Sequence, residues 1–369
     1  MAQTYLVTGG AGFIGSHLVE ALLEREEHVI VLDDLSTGRL DNLRAVCSHP
    51  NLRVVVGSVL DELAVDELVH EADVVVHLAA AVGVKLIVDR PLRSFTTNIR
   101  GSEIVIGAAH RYRRKILVAS TSEIYGKNST SALPETADRI LGSPSVSRWA
   151  YSTAKAVEEI LALAHHRERG LPVIVARFFN TVGPRQSPAY GMVIPRFVRQ
   201  AVAEAPISVY GDGDQSRCFC HVLDVVDALL RLLDHPDAIG EVFNVGSAGE
   251  ISMVDLARLI AKKAESSSDV EFIPYEEAYA AGFEDMRRRV PDTTKLETLT
   301  GWQARRSLDE ILEEAITEAA AELHTWSSHQ ETLDTPEGVE EGVIDLRNRS
   351  HLGGERAGAG VFGNGFHSG

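Results

Sequence analysis

The 369-residue sequence has few cysteines, no excess of positive charge and no long hydrophobic run, and each shortage removes a class of function. Three cysteines, Cys47, Cys218 and Cys220, are an odd number without zinc-ligand spacing, which excludes a disulfide framework and offers no metal site. Cys218 and Cys220 read as buried filler, because free cysteine packs as a small hydrophobe. The formal net charge of −17 excludes nucleic acid and anionic membrane as partners, since both need clustered Lys and Arg to neutralise phosphate. No apolar run approaches the ~20 residues of a membrane helix. The start, Met-Ala-Gln-Thr, enters an apolar strand with no basic segment ahead of it, so no cleavable signal is expected and the expected location is cytoplasmic.

What is present is an ordinary globular composition, 44% hydrophobic and 24% charged, long enough for one large domain or two moderate ones. Short β-branched runs at Thr4–Thr8, Val29–Asp33, Arg53–Val56, Val74–Leu78, Lys115–Ser120 and Val173–Phe178 read as buried strands. Amphipathic stretches at Ile14–Arg25, Leu92–His110 and Trp149–Arg169 alternate with them. The alternation predicts an α/β fold with a doubly wound parallel sheet (Rossmann) and a smaller mixed α/β lobe. The sheet domain is expected over residues 1–180, with segments around 215–247 returning to it, and the smaller lobe over 181–323. A ligand cleft belongs between them. Residues 324–369 are polar and increasingly glycine-rich and are expected to form a disordered tail.

The strand Tyr5-Leu-Val-Thr8 runs into Gly9-Gly-Ala-Gly12-Phe-Ile-Gly15, so the glycines stand at a strand-to-helix turn. Small residues let the backbone approach a pyrophosphate, whose charge is met by free N–H groups and the positive end of the following helix. Asp33 closes the second strand, where a carboxylate can bind both ribose hydroxyls of NAD and repels the 2′-phosphate of NADP. Farther along, Tyr151-Ser-Thr-Ala-Lys155 projects Tyr and Lys from one helix face. A neighbouring ammonium and a positive nicotinamide ring both favour phenolate, bringing the tyrosine towards the range where it can accept a hydroxyl proton.

With these pieces the chain resembles an extended short-chain dehydrogenase/reductase of the nucleotide-sugar epimerase, dehydratase and decarboxylase group, over about residues 4–320. Further matching segments are His77-Leu78-Ala79-Ala80, Asn98, Ser120–Gly126, Arg177–Asn180 with Gly183-Pro-Arg185, Tyr210–Gly213, Arg217 and Arg289–Asp292. Ser58 departs from the pattern, because many relatives have there an Asp that contacts adenine. The resemblance implies NAD held by Gly9, Gly12, Phe13, Ile14, Gly15, Asp33, Leu78, Ala79, Ala80, Asn98, Tyr151 and Lys155. It implies a UDP-sugar held by Ser122, Asn180, Arg185, Arg217 and Arg289, with Thr121 on the reacting hydroxyl and no metal. Turn or cap roles compete for Asn98 and Asn180, and a surface ion pair for Arg217.

In this group the reaction begins with hydride transfer from the sugar to NAD⁺, and the fate of the resulting 4-keto intermediate distinguishes the activities. A 4,6-dehydratase carries Asp-Glu after the Thr, whereas here the pair is Ser122-Glu123. The 4-epimerases usually carry a small hydroxyl residue where Glu123 stands. Thr121-Ser122-Glu123, with Arg148-Trp-Ala-Tyr151 and Arg217-Cys-Phe219, is similar to UDP-glucuronate decarboxylases, which implies UDP-xylose or a UDP-4-keto-pentose as product. Glu123 is then expected to position the sugar ring or a water near C5. The alternatives are a 4-epimerase of UDP-glucuronate or UDP-glucose, and a non-catalytic NAD-bound interaction protein. Members often form homodimers through the helices placed here at Leu92–His110 and Trp149–Arg169.

Overall fold

The computed structural model describes residues 2–82, 91–146, 148–187, 192–278 and 286–333. In chain order the first half holds β1 (Thr4–Thr8), α1 (Phe13–Glu24), β2 (His28–Asp33), β3 (Leu52–Val56), α2 (Glu62–Glu71), β4 (Val74–His77), α3 (Pro91–Phe95), α4 (Gly101–Arg111), β5 (Lys115–Thr121), α5 (Arg148–Arg169) and β6 (Val173–Phe178). The second half holds β7 (Thr181–Val182), α6 (Val193–Val202), β8 (Ile207–Tyr210), β9 (Ser216–Cys218), β10 (Cys220–His221), α7 (Val222–Asp234), β11 (Val242–Val245) and β12 (Glu250–Ser252). It ends with α8 (Met253–Lys263), β13 (Val270–Ile273), α9 (Tyr275–Ala278), β14 (Arg288–Arg289), α10 (Thr294–Thr300) and α11 (Leu308–Leu333).

The central sheet has seven parallel strands in the order β11-β6-β5-β4-β1-β2-β3. After β3 at one edge, the chain crosses back over β1 to build the other half from β4. That reversal opens a crevice beyond the carboxyl ends of β1 and β4. Side chains alternate along each strand, so Val7, Val31 and Val76 join Leu18, Leu22 and Leu229 of α1 and α7 on one face. Leu6, Ile30 and Val75 join Val65, Leu68, Val105 and Ala162 of α2, α4 and α5 on the other. Burial on both faces explains runs such as Val74-Val-Val76, β-branched throughout instead of alternating with polar residues.

Three local expectations are corrected. β3 is an edge strand and not a buried one: Arg53 and Val56 are exposed, with Val56 at 61%. It pairs only with β2, so a β-branched run here satisfies strand propensity without burial. The helix expected over Leu92–His110 is interrupted by a π turn at Thr96–Arg100, between α3 and α4. Finally, α11 runs to Leu333, past residue 324 where the disordered tail is expected to begin. Residues 334–369 of that expectation lie outside the described residues.

Met1–His324 form one compact unit. Within it β11 closes one edge of the main sheet, with Val242 opposite Val175. The segments after β6 build a separate apolar cluster from Phe197 and Val198 of α6, Val209 of β8, Leu256 and Ile260 of α8, and Ile311 and Leu312 of α11. A small sheet in the order β12-β9-β14 lies among them and sets Arg289 directly opposite Arg217.

Candidate active site

The turn after β1 is shaped by glycine at two points where nothing else fits. Gly9 has φ +73°, and a Cβ there would stand 2.8 Å from Ala79 N. A Cβ on Gly15 would stand 2.1 Å from Gly9 O. Helix α1 then begins at Phe13 with no side-chain cap and no acidic residue in its first turn, leaving its positive end open to an anion. Asp33, at the end of β2, is buried, and its carboxylate accepts from Ala11 N at 3.0 Å and Leu35 N at 2.9 Å. Burial raises its pKa, and those two backbone bonds work against that. A cradle closed to any Cβ, an uncapped helix end and a carboxylate at the neighbouring strand end fit a dinucleotide. NAD would lie with its phosphates over Gly9–Gly15 and a ribose at Asp33.

Thr121 ends β5, and the chain turns at once through a 3₁₀ turn, Ser122–Tyr125, in which the Thr121 hydroxyl accepts from Glu123 N at 3.2 Å. Opposite stands α5, whose first two turns carry Arg148, Tyr151 and Lys155, all buried. Burial of the phenol works against the expected lowering of Tyr151 by its lysine. Burial raises the Tyr151 pKa, the carboxylates of Glu158 and Glu123 raise it further, and only the Thr121 hydroxyl and the Arg289 charge oppose them. Lys155 is itself held in place: its ammonium donates to Ala119 O at 3.0 Å and to the buried Glu158 Oε2 at 2.8 Å.

Glu123 is gripped from two sides. Arg148 Nη1 donates to Oε2, and Arg289 Nη1 donates to Oε1 at 2.5 Å. Burial alone would raise its pKa, but the two guanidinium charges prevail and hold the carboxyl at about 2, so it is ionised throughout the working range. Asn180 completes the cluster, accepting from Arg289 Nη2 at 2.8 Å while its Nδ2 donates to Cys218 O at 2.8 Å.

A cleft of about 910 Å³ is lined by every residue expected at the site except Asn98. Asn98 sits in the π turn behind it, donating to Ala81 O at 3.2 Å and accepting from Ala81 N at 2.7 Å, and so fixes the chain just past Leu78-Ala79-Ala80. Arg185 reaches away from Arg217 and Arg289 to the cofactor helix, where it donates to Ser16 Oγ at 3.1 Å and Glu20 Oε1 at 2.7 Å. Sequence reasoning singles out Arg148 only as part of a motif and misses Glu158. The one available signal for Glu158 is its spacing, three residues after a lysine on the same helix. Among the described residues no group of His, Cys, Asp and Glu could hold a metal ion. No described helix is long and apolar enough to cross a membrane.

A glycine-cradled strand-to-helix turn facing a buried Tyr/Lys pair across one crevice defines a dinucleotide-dependent enzyme. Residues 5–246 match the model of the NAD dependent epimerase/dehydratase family. The UDP-N-acetyl-alpha-D-glucosaminuronate decarboxylase of Bacillus cytotoxicus is 39% identical over 317 residues, covering 86% of this chain and 97% of that one. UDP-glucuronic acid decarboxylase 1 of Arabidopsis thaliana is 35% identical, covering 85% of this chain and 69% of that one. Among solved structures, a UDP-glucose 4-epimerase of Thermotoga maritima with UDP-glucose superposes with a TM-score of 0.77 at 32% identity, covering 87% of this chain and 99% of that one. The chain belongs to the NAD-dependent epimerase/dehydratase family, and NAD is its cofactor.

Proposed function

We propose that this enzyme decarboxylates a UDP-linked hexuronate, UDP-glucuronate in the first instance, to give UDP-xylose or the UDP-4-keto-pentose. The observation that carries the reading is the arginine-clamped Glu123 at the mouth of β5. β9 and β14 set Arg217 and Arg289 directly opposite each other, an arrangement that costs energy unless anions separate the charges. Glu123 supplies one negative charge, bound by Arg148 and Arg289, and an anionic sugar would bring another. The same chemistry unites the two decarboxylases to which the chain is similar.

Hydride acceptance, and its later return, is the chemistry NAD supplies when bound. Tyr151 takes the proton of the C4 hydroxyl, and Thr121 stabilises its phenolate. A ketone at C4 makes the C6 carboxylate a β-keto acid: the C5–C6 bond breaks, its electron pair passes to the ketone oxygen as an enolate, and CO₂ leaves. A proton returned to C5 restores the ketone. Ionised and doubly bound, Glu123 serves as the anchor that aims Arg148 and Arg289, and it carries no proton to give.

Arg217, Arg289, Asn180 and Ser122 face the substrate, while Arg185 serves the cofactor helix that it already touches. A homodimer through α3, α4 and α5 is supported by exposed apolar side chains there, Leu92 at 80% and Ile160 at 61%. The cytoplasm is supported by three free thiols, two of them buried. Mass spectrometry of products from UDP-glucuronate, UDP-N-acetylglucosaminuronate and UDP-glucose tests the function: loss of CO₂ from a uronate, with UDP-glucose untouched, is expected. A product isobaric with its substrate would overturn it in favour of 4-epimerisation.

A further inference from the structure

A buried chain of polar groups joins the floor of the cofactor loop to the catalytic lysine. Thr8 Oγ1, at the end of β1, accepts from Ala79 N at 3.3 Å and lies 2.8 Å from His77 Nδ1. His77 Nε2 lies 2.9 Å from Ser102 Oγ on α4. Burial raises the Glu158 pKa, which the Lys155 charge and then the Ser102 side chain oppose, and Glu158 Oε2 accepts from Lys155 Nζ. His77, Ser102, Lys155 and Glu158 are each no more than 2% exposed.

Counting donors gives this chain a direction. The Thr8 oxygen receives the Ala79 N–H, and its one hydrogen is assigned to His77 Nδ1. Burial, and then the nearby Lys155 charge, lowers the His77 pKa to about 3, so the ring is neutral and its proton sits on Nε2, facing Ser102. The Ser102 hydrogen is then free to turn to Glu158, whose Oε1 has no hydrogen-bond partner among the described residues. The chain ends on that carboxylate, with the lysine donating from the far side.

We propose that Glu158 is a positioning residue for the catalytic pair: it fixes the Lys155 ammonium and offsets its field at Tyr151, so that Tyr151 becomes a base only once the positive charge of NAD⁺ is bound. The proposal rests on the reading of Tyr151 as the base, and not on which sugar is used. The charged groups acting on Tyr151 are Glu158 from its own helix, Glu123 from the turn after β5, and Arg289 from β14, and Lys155 stands one turn along the same helix. Glu123 is already matched by two arginines, which leaves Glu158 as the carboxylate able to act. Glu158 itself faces Lys155, Glu159 and Ser102.

Phenolate absorbance of NAD⁺-loaded protein, with the matching Tyr151→Phe protein subtracted, reads Tyr151 without any sugar. Glu158→Gln removes a charge that raises the Tyr151 pKa, so Tyr151 should ionise about one pH unit lower or more, a tenfold change in proton affinity. Glu158→Asp keeps the charge and should titrate close to wild type. A Glu158→Gln protein that titrates with wild type overturns the proposal. Should that variant fail to fold, nitrogen-15 NMR of wild-type histidines decides: His77 should be neutral and protonated on Nε2 between about pH 5 and 9, and a proton on Nδ1 would reverse the chain and overturn the assignment. Because neither measurement uses a sugar, a failure of the decarboxylase reading leaves both intact.

Discussion

Tyr151 has the residue types expected around it, but burial, and then the carboxylates of Glu158 and Glu123, favour its uncharged phenol. Removing the phenol should therefore abolish the shared first step: Tyr151→Phe is expected to lower kcat roughly 10²- to 10⁴-fold, the range for losing a general base, with NAD still bound. Stopped-flow absorbance of reduced NAD checks this. At Gly15 the constraint is backbone contact, since a Cβ would stand 2.1 Å from Gly9 O. Gly15→Ala should weaken NAD binding about tenfold or more, about 1.4 kcal/mol, by calorimetric titration. The glycines, Asp33, Tyr151 and Lys155 were legible in the sequence because each does its work within a few residues of a strand end or on one helix face. The partners of Glu123 were not, since Arg148 and Arg289 meet it only after distant segments are brought together, one of them 166 positions away.

At the scale of elements, α5 carries the proposed catalytic pair and is joined to β6 by a buried ion pair. Arg177 Nη2 and Nε donate to Glu159 at 2.7 and 2.9 Å, and Nη1 donates to Tyr125 Oη and Glu135 O. Arg177→Met leaves Glu159 buried without its partner, and a loss of roughly 3–5 kcal/mol of stability, read from the denaturant midpoint, is expected. The strands of the sheet were readable from β-branched runs because both faces are covered. β3 was misjudged because the same residues suit an edge. The π turn that seats Asn98 against Ala81 has no sequence signature, since the Asn98 side chain meets the Ala81 backbone only once β4 is in place.

For the whole molecule, the buried polar chain makes stability depend on pH. His77 is neutral in the fold, with a pKa lowered from 6.5 to about 3, while in the unfolded chain it binds a proton below 6.5. Its contribution is thus fully present above pH 6.5 and is lost as pH falls towards 3, on the order of 1 kcal/mol per pH unit in that window. Denaturation profiles of wild type and His77→Gln should diverge at neutral pH and converge in acid. The layered architecture was legible from alternation of strand and helix. Where helix α11 ends was not, because its last turns, rich in Ser, Thr and His, carry neither an apolar period nor strong helix propensity.

The decarboxylase reading stands on the fate of one carbon. With UDP-glucuronate labelled with carbon-13 at C6 and incubated with enzyme and NAD⁺, NMR should show the label leaving the sugar for carbon dioxide and bicarbonate while a UDP-pentose accumulates. Label retained in a UDP-hexuronate inverted at C4 would contradict decarboxylation and make the enzyme an epimerase.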